Sequence, residues 1–272
     1  MQMTLSDGGS IPTIGLGTWP MDDAECERVV AEAIELGYRL VDTAYAYRNE
    51  TGVGRGVKAS GLPREEVFIT TKFDRQSHSV AGVRQAFEDS AGRLGVDYLD
   101  LMLIHWPNPD HDRYVEAWEG LIALREQGLV RHIGTSNFLP EHLDRVIAAT
   151  GVTPVLDQIQ MNPRHQQGPS RAYNAAHGIV TQSWSPLGQG NDLLQQPVFE
   201  EMAGRYGCTP GQVVLAWHIA QGVCTIPKSA DPQRLRQNLA AQEIVLSAAD
   251  LAAISVLDGT ERNVTHPNSF GH

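Results

Sequence analysis

The chain has 272 residues, 42% of them hydrophobic, and a formal net charge of −11 at pH 7. That is apolar material enough for a sizeable core, while the acidic balance excludes a role built on nucleic acid or a membrane surface, partners that reward a basic patch. No apolar run approaches the roughly 18 residues of a membrane span, and the opening MQMTLSDGGS lacks the charged and apolar regions of a signal peptide, so a soluble, cytoplasmic protein is expected.

In chain order, the turn sequence Ser6-Asp7-Gly8-Gly9 predicts an N-terminal β-hairpin, placed to plug the bottom of the main fold. Eight short β-rich runs come next: IGLGT from Ile14, YRLVD from Tyr38, VFITTK from Val67, YLDLMLIHW from Tyr98, RHIGTSN from Arg131, VLDQIQMN from Val155, GIVTQSW from Gly178 and VCTIPKS from Val223. Between them lie amphipathic stretches such as DAECERVVAEAIELG, VAGVRQAFEDSAGRLG and YVEAWEGLIALREQG, each closing on a glycine, as helices do. Strand and helix alternating eight times, with no Pro- or Ser-rich linker, predict one domain over residues 1–272: an α/β fold of the (β/α)8 TIM barrel type. Two further helices, PQRLRQNLAAQ and SAADLAAISVLDG, are expected after the eighth strand, and Thr260 to His272 reads as a loop or a loose end.

The runs turn polar or ionisable at their C-terminal ends, at Asp42, Lys72, His105, Ser136-Asn137, Gln158 and Lys228-Ser229. Exposed loops alone explain any one of these, but as a set they converge where barrel enzymes place their chemistry. Tyr47 follows Asp42 in the segment Asp42-Thr43-Ala44-Tyr45-Ala46-Tyr47. A phenol with a pKa near ~10 is a poor proton donor at neutral pH, and an ammonium at Lys72, itself held charged by Asp42, would lower it. His105 is placed to hydrogen-bond a substrate oxygen and direct it toward the phenol. This is a proton relay suited to carbonyl and alcohol chemistry.

These residues resemble those of the aldo-keto reductase family. The motif DTAYAYRNE, the strand-end Lys72, His105-Trp106, GTSNF from Gly134, Gln158, SWSPLGQG from Ser183 and IPKS from Ile226 occur in the family's order, over essentially the whole chain. The resemblance implies that Tyr47 is the general acid for reduction, that Lys72 and Asp42 tune it, and that His105 orients the carbonyl, with no metal. It implies NADP(H) as cofactor, with Trp184 stacked on the nicotinamide and Ser136, Asn137 and Gln158 on its carboxamide. Thr18 and Trp19 are further contacts. Ser185, Leu187 and Gly188 would flank the pyrophosphate, while Lys228, Ser229 and Arg234 would grip the 2′-phosphate, helped by the N-terminus of the helix starting near Pro232; Asn238 would touch adenine. Trp184, where animal members commonly carry tyrosine, is similar to the bacterial branch that includes the diketogluconate reductases.

The expected substrate pocket is aromatic, from Trp19, Tyr47, Trp106 and Phe270 beside His105, and apolar walls discriminate weakly. A small carbonyl compound is the expected partner and a monomer the expected state. Gly52-Val53-Gly54-Arg55-Gly56-Val57 misplaces the third glycine of a dinucleotide fingerprint and reads as helix packing. Cys26, Cys208 and Cys224 contain no Cys-x-x-Cys pair and read as buried thiols, the sequons at Asn49 and Asn263 as chance matches, and Pro109-Asp110-His111-Asp112 as a solvated loop. Two other classes remain open: a cofactor-binding regulatory subunit, which a broken tetrad would favour, and a barrel isomerase or aldolase using Lys72.

Overall fold

The structure is a computed structural model and describes residues 1–270; Gly271 and His272, at the end of the expected tail, lie outside the described residues. Strands β1 (Gln2–Thr4) and β2 (Ser10–Pro12) pair antiparallel across the predicted turn. The main sheet runs through β3 (Leu16–Gly17), β4 (Leu40–Asp42), β5 (Phe68–Phe73), β6 (Leu99–Ile104), β7 (Val130–Ser136), β8 (Leu156–Gln160), β9 (Val180–Trp184) and β10 (Cys224–Thr225), with each strand parallel to the next. Ile14 bridges Thr225 in parallel, and Thr225 N–H donates to Thr13 while Gly15 N–H donates to Thr225, so the last strand lies against the first. The eight expected runs are therefore the eight barrel strands. The first and last are shorter than the sequence suggests, because their ladder reduces to these few bonds.

Helices α1 (Asp23–Glu35), α2 (Glu50–Ala59), α3 (Val80–Leu94), α4 (Tyr114–Glu126), α5 (Pro140–Thr150) and α6 (Gly168–Ala176) follow successive strands. The pair α7 (Pro197–Tyr206) and α8 (Pro210–Ala220) lies between β9 and β10, with α9 (Pro232–Ala240) and α10 (Ala248–Ser255) after β10. The glycines of α2 do pack helices: a Cβ on Gly52 would fall 2.1 Å from the Asp23 carbonyl oxygen of α1, and one on Gly54 2.1 Å from that of Leu94 in α3. Asn49 is fully buried, its amide donating to the carbonyls of Thr18 and Met21, so its sequon is unavailable for modification.

Alternation along the strands sorts the core. On β6, Met102 and Ile104 join the apolar layer shared with the surrounding helices, whereas Leu101 and Leu103 join a second cluster with Leu40, Leu156 and Cys224 inside the barrel. Leu5 and Ile11 of the hairpin belong to that inner cluster and close the lower end. Continuing the same parity upward, the inner positions become Asp42, Lys72, His105, Gln158 and Gln182. The barrel is apolar at its floor and ionisable at its mouth.

Candidate active site

Lys72 is the centre of the mouth, and its side chain is completely buried. Its three N–H groups have three acceptors: Asp42 Oδ1 at 2.6 Å, the Thr43 carbonyl at 2.9 Å and Tyr47 Oη at 3.4 Å. Register explains the pairing, since Asp42 lies beside Thr70 on β5 and Lys72 is the next residue on that inward face. The second Asp42 oxygen accepts from Gln158 Nε2 at 2.7 Å, and the same amide donates to Gln182 Oε1 at 2.7 Å. Burying an ion pair costs more than burying leucines of similar size, so the apolar floor would be the more stable way to fill this layer.

Burial acts to lower the Lys72 pKa, but the charge and hydrogen bond of Asp42 overcome it and the ammonium is held above its ordinary range. Tyr47 sits in a single 3-10 turn, Tyr45–Tyr47, closed by Arg48 in the left-handed region at φ 56°. Here the electrostatics differ from the sequence expectation. Lys72 does pull the phenol pKa down, but burial pushes harder and the net shift is upward, so Tyr47 keeps its proton at neutral pH. His105 follows β6, its ring edge-on to Tyr47 with centroids 5.9 Å apart, and burial lowers its pKa. Its Nδ1 lies 2.9 Å from Asp74 Oδ1.

A second group of predicted residues lines the opposite wall. Ser136 Oγ donates to the Gln158 carbonyl, Asn137 Nδ2 donates to the His105 carbonyl, and Trp184 Nε1 donates to Asn137 Oδ1 at 2.8 Å. Trp106 packs on Phe270 at 4.7 Å and meets Trp184 edge-on at 6.5 Å, which builds an aromatic rim. Trp19 stands 53% exposed, and Thr18 is buried with its hydroxyl committed to the Asp42 carbonyl. Ser185 takes a left-handed backbone at φ 55°, accepts from Gln189 and borders a polar cavity of about 290 Å³ with Gln160, Asn162, Gly188 and Glu261; Leu187 is packed into the neighbouring core.

Past β10, Lys228 and Arg234 are exposed and enter no salt bridge among the described residues, while Ser229 and Asn238 are buried. Two uncommitted cations beside a buried hydroxyl, in a chain of net charge −11, suit a phosphate dianion. The helix N-terminus expected to help is not free. Asp231 Oδ1 accepts from Arg234 N–H at 2.9 Å, so α9 is capped by a carboxylate of the wrong sign, and attraction is left to the two side chains.

Two site groups were missed in the sequence. Asp74 carried a signal, being two residues beyond Lys72 and so on the same face; Gln182 pairs in register with Gln158, which a strand alignment would have shown. The tail also proves ordered: Gln160 Nε2 donates to the Asn263 carbonyl at 2.7 Å, Thr265 N–H returns to Gln160 Oε1 at 2.8 Å, and Glu261 accepts from Asn162 at 3.1 Å.

A barrel with an Asp-Lys-Tyr-His mouth defines a class, and comparison with known proteins agrees. Residues 13–258 match the model of the aldo/keto reductase family. The chain belongs to the aldo/keto reductase family, as the sequence resemblance implied. It is similar to methylglyoxal reductase DkgA of Salmonella typhimurium, 46% identical over 270 residues that cover 98% of this chain and 97% of that protein. An aldo-keto reductase of Mycolicibacterium smegmatis is 45% identical, with 99% and 98% covered. Among solved structures, a single-residue mutant of Gox0644 in complex with NADPH superposes with a TM-score of 0.94 at 42% identity, covering 99% of this chain and 98% of that one.

Proposed function

We propose that this chain is an NADPH-dependent reductase of aldehydes and ketones, in which Tyr47 is the general acid. The observation that carries this reading is the buried Asp42–Lys72–Tyr47 chain, a charged pair that reaches a protonated phenol at the mouth. Lys228 and Arg234 would hold the 2′-phosphate, the Trp184 ring would face the nicotinamide, and Ser136, Asn137 and Gln158 would contact its carboxamide. When bound, the cofactor supplies a hydride to the carbonyl carbon.

As negative charge builds on the carbonyl oxygen, the Tyr47 proton moves to it. The developing alkoxide is a far stronger base than a phenolate, so a phenol with its pKa raised by burial is still acid enough. Lys72 then stabilises the phenolate at 3.4 Å, and Asp42 keeps Lys72 charged. That same charge argues against Schiff-base chemistry, which needs a neutral amine, and the intact tetrad leaves nothing to favour a silent cofactor-binding subunit.

The rim of Trp106, Phe270 and Trp184 supports small α-keto aldehydes, aromatic aldehydes or keto-sugars such as diketogluconate, the first in line with the name of the DkgA relatives. The test is a substrate panel with NADPH and NADH on wild type and Tyr47→Phe. Methylglyoxal-dependent NADPH oxidation, reduced by about 10²–10⁴ in the folded variant, supports the reading; undiminished turnover in Tyr47→Phe overturns it.

A further inference from the structure

Asp74 stands outside the Asp42–Lys72–Tyr47 chain, yet its carboxylate touches the fourth member of the mouth. It follows β5 on the inward parity of Lys72, and its Oδ1 lies 2.9 Å from Nδ1 of His105. Both groups are shielded, with 12% of the His105 side chain and 24% of the Asp74 side chain exposed. An ionised carboxylate only accepts hydrogen bonds, so the proton in this contact belongs to Nδ1. A neutral imidazole has one N–H. With that N–H spent on Asp74, Nε2 presents a lone pair, and a carbonyl oxygen, also an acceptor, gains nothing from it. Only a second proton makes the ring a donor on the substrate side.

We propose that Asp74 is a positioning residue that fixes His105 in the Nδ1–H tautomer, so that His105 holds a substrate carbonyl only as an imidazolium. This rests on the reading of His105 as the group that orients the carbonyl. The charged and titratable groups facing His105 are Asp74 from the turn after β5, Lys72 from β5, Asp42 from β4 and the Tyr47 ring from the turn after β4. With His105 charged, the mouth holds two closed pairs, Lys72–Asp42 and His105–Asp74, and no net charge. Burial opposes the imidazolium and Asp74 supports it, with the balance below the ordinary histidine range. Carbonyl reduction is therefore favoured on the acid side of neutrality, and its efficiency falls by about tenfold per pH unit once His105 loses its second proton.

The test combines histidine ¹⁵N NMR with pH profiles of kcat/KM for methylglyoxal at saturating NADPH, on the full chain. At about pH 7.5 the wild type is expected to show His105 protonated on Nδ1 and bare on Nε2, with kcat/KM declining as rising pH removes the second proton. In Asp74→Asn the amide can donate to Nδ1, which moves the ring proton to Nε2 and flattens that limb. Asp74→Ala, which removes the partner altogether, should flatten it too and covers the case in which the asparagine keeps its oxygen toward the ring. An Nε2–H tautomer in the wild type, or one pH profile shared by wild type and both variants, overturns the proposal. Unchanged kcat/KM in His105→Ala overturns the underlying reading instead, and is recognisable because the wild-type tautomer signature then stands without a kinetic counterpart.

Discussion

Trp184 donates its indole N–H to Asn137 Oδ1 at 2.8 Å, and Asn137 in turn donates to the backbone carbonyl of His105 at 3.0 Å. The ring proposed to face the nicotinamide is thereby tied, through one asparagine, to the residue proposed to face the substrate. Asn137 holds this bridge from a left-handed backbone at φ 62°, which asparagine tolerates better than most residues. In Trp184→Phe the stacking surface survives and the anchor is lost. A neutral hydrogen bond of about 1 kcal/mol sets the expected weakening of NADPH binding at several-fold. Fluorescence titration of the cofactor measures it, and an affinity equal to wild type counts against a role for the anchor.

Lys228 and Arg234 have no acidic partner among the described residues, so removing either leaves no orphaned charge behind. Hydrogen bonds to charged groups contribute about 1.5–3 kcal/mol. Lys228→Ala and Arg234→Ala should each raise the KM for NADPH by tenfold or more and leave the KM for NADH nearly unchanged. Equal losses with both cofactors would mean that these side chains do not meet the 2′-phosphate.

Asp157, fully buried on the outward face of β8, accepts from Thr135 Oγ1 and from Phe138 N–H, yet burial raises its pKa from 3.8 to about 7. Between those two values the folded chain holds a proton that the unfolded chain has released, so this group's contribution to stability falls as pH rises from about 4 to about 7. Asp157→Asn removes the charge and keeps the acceptor. Its melting temperature relative to wild type should improve by a few degrees between pH 5 and pH 8, as calorimetry at the two pH values would show. A constant difference across that range would place the ionisation elsewhere.

The tail is held to the barrel through Gln160, which both donates to Asn263 and accepts from Thr265, and Phe270 then reaches Trp106. Gln160→Ala, or removal of the residues after Thr260, should raise the KM for an aromatic aldehyde several-fold more than the KM for NADPH. A larger effect on the cofactor would assign the tail to the other ligand.

The strand-end tetrad was legible in the sequence because parity and strand order are local properties, and Asp42, Lys72 and His105 each close an apolar run. Less legible were contacts made by pairing distant segments. Gln160 and Asn263 are 103 positions apart, so the tail could be read only as a loop or a loose end. The upward shift of Tyr47 was missed for a related reason: a neighbouring lysine can be inferred from order along the chain, whereas the extent of burial cannot. The Asp231 cap on α9 was readable from its place just before Pro232, and a phosphate expected at that helix end must instead share it with a carboxylate.

Leu5 and Ile11 of the hairpin close the floor of the barrel. A stoppered vessel has one doorway, and everything proposed to react here must enter and leave by it. The tail stands on that threshold, held by Gln160 and Asn162, so the last part of the chain frames the doorway of a vessel that its first residues stopper.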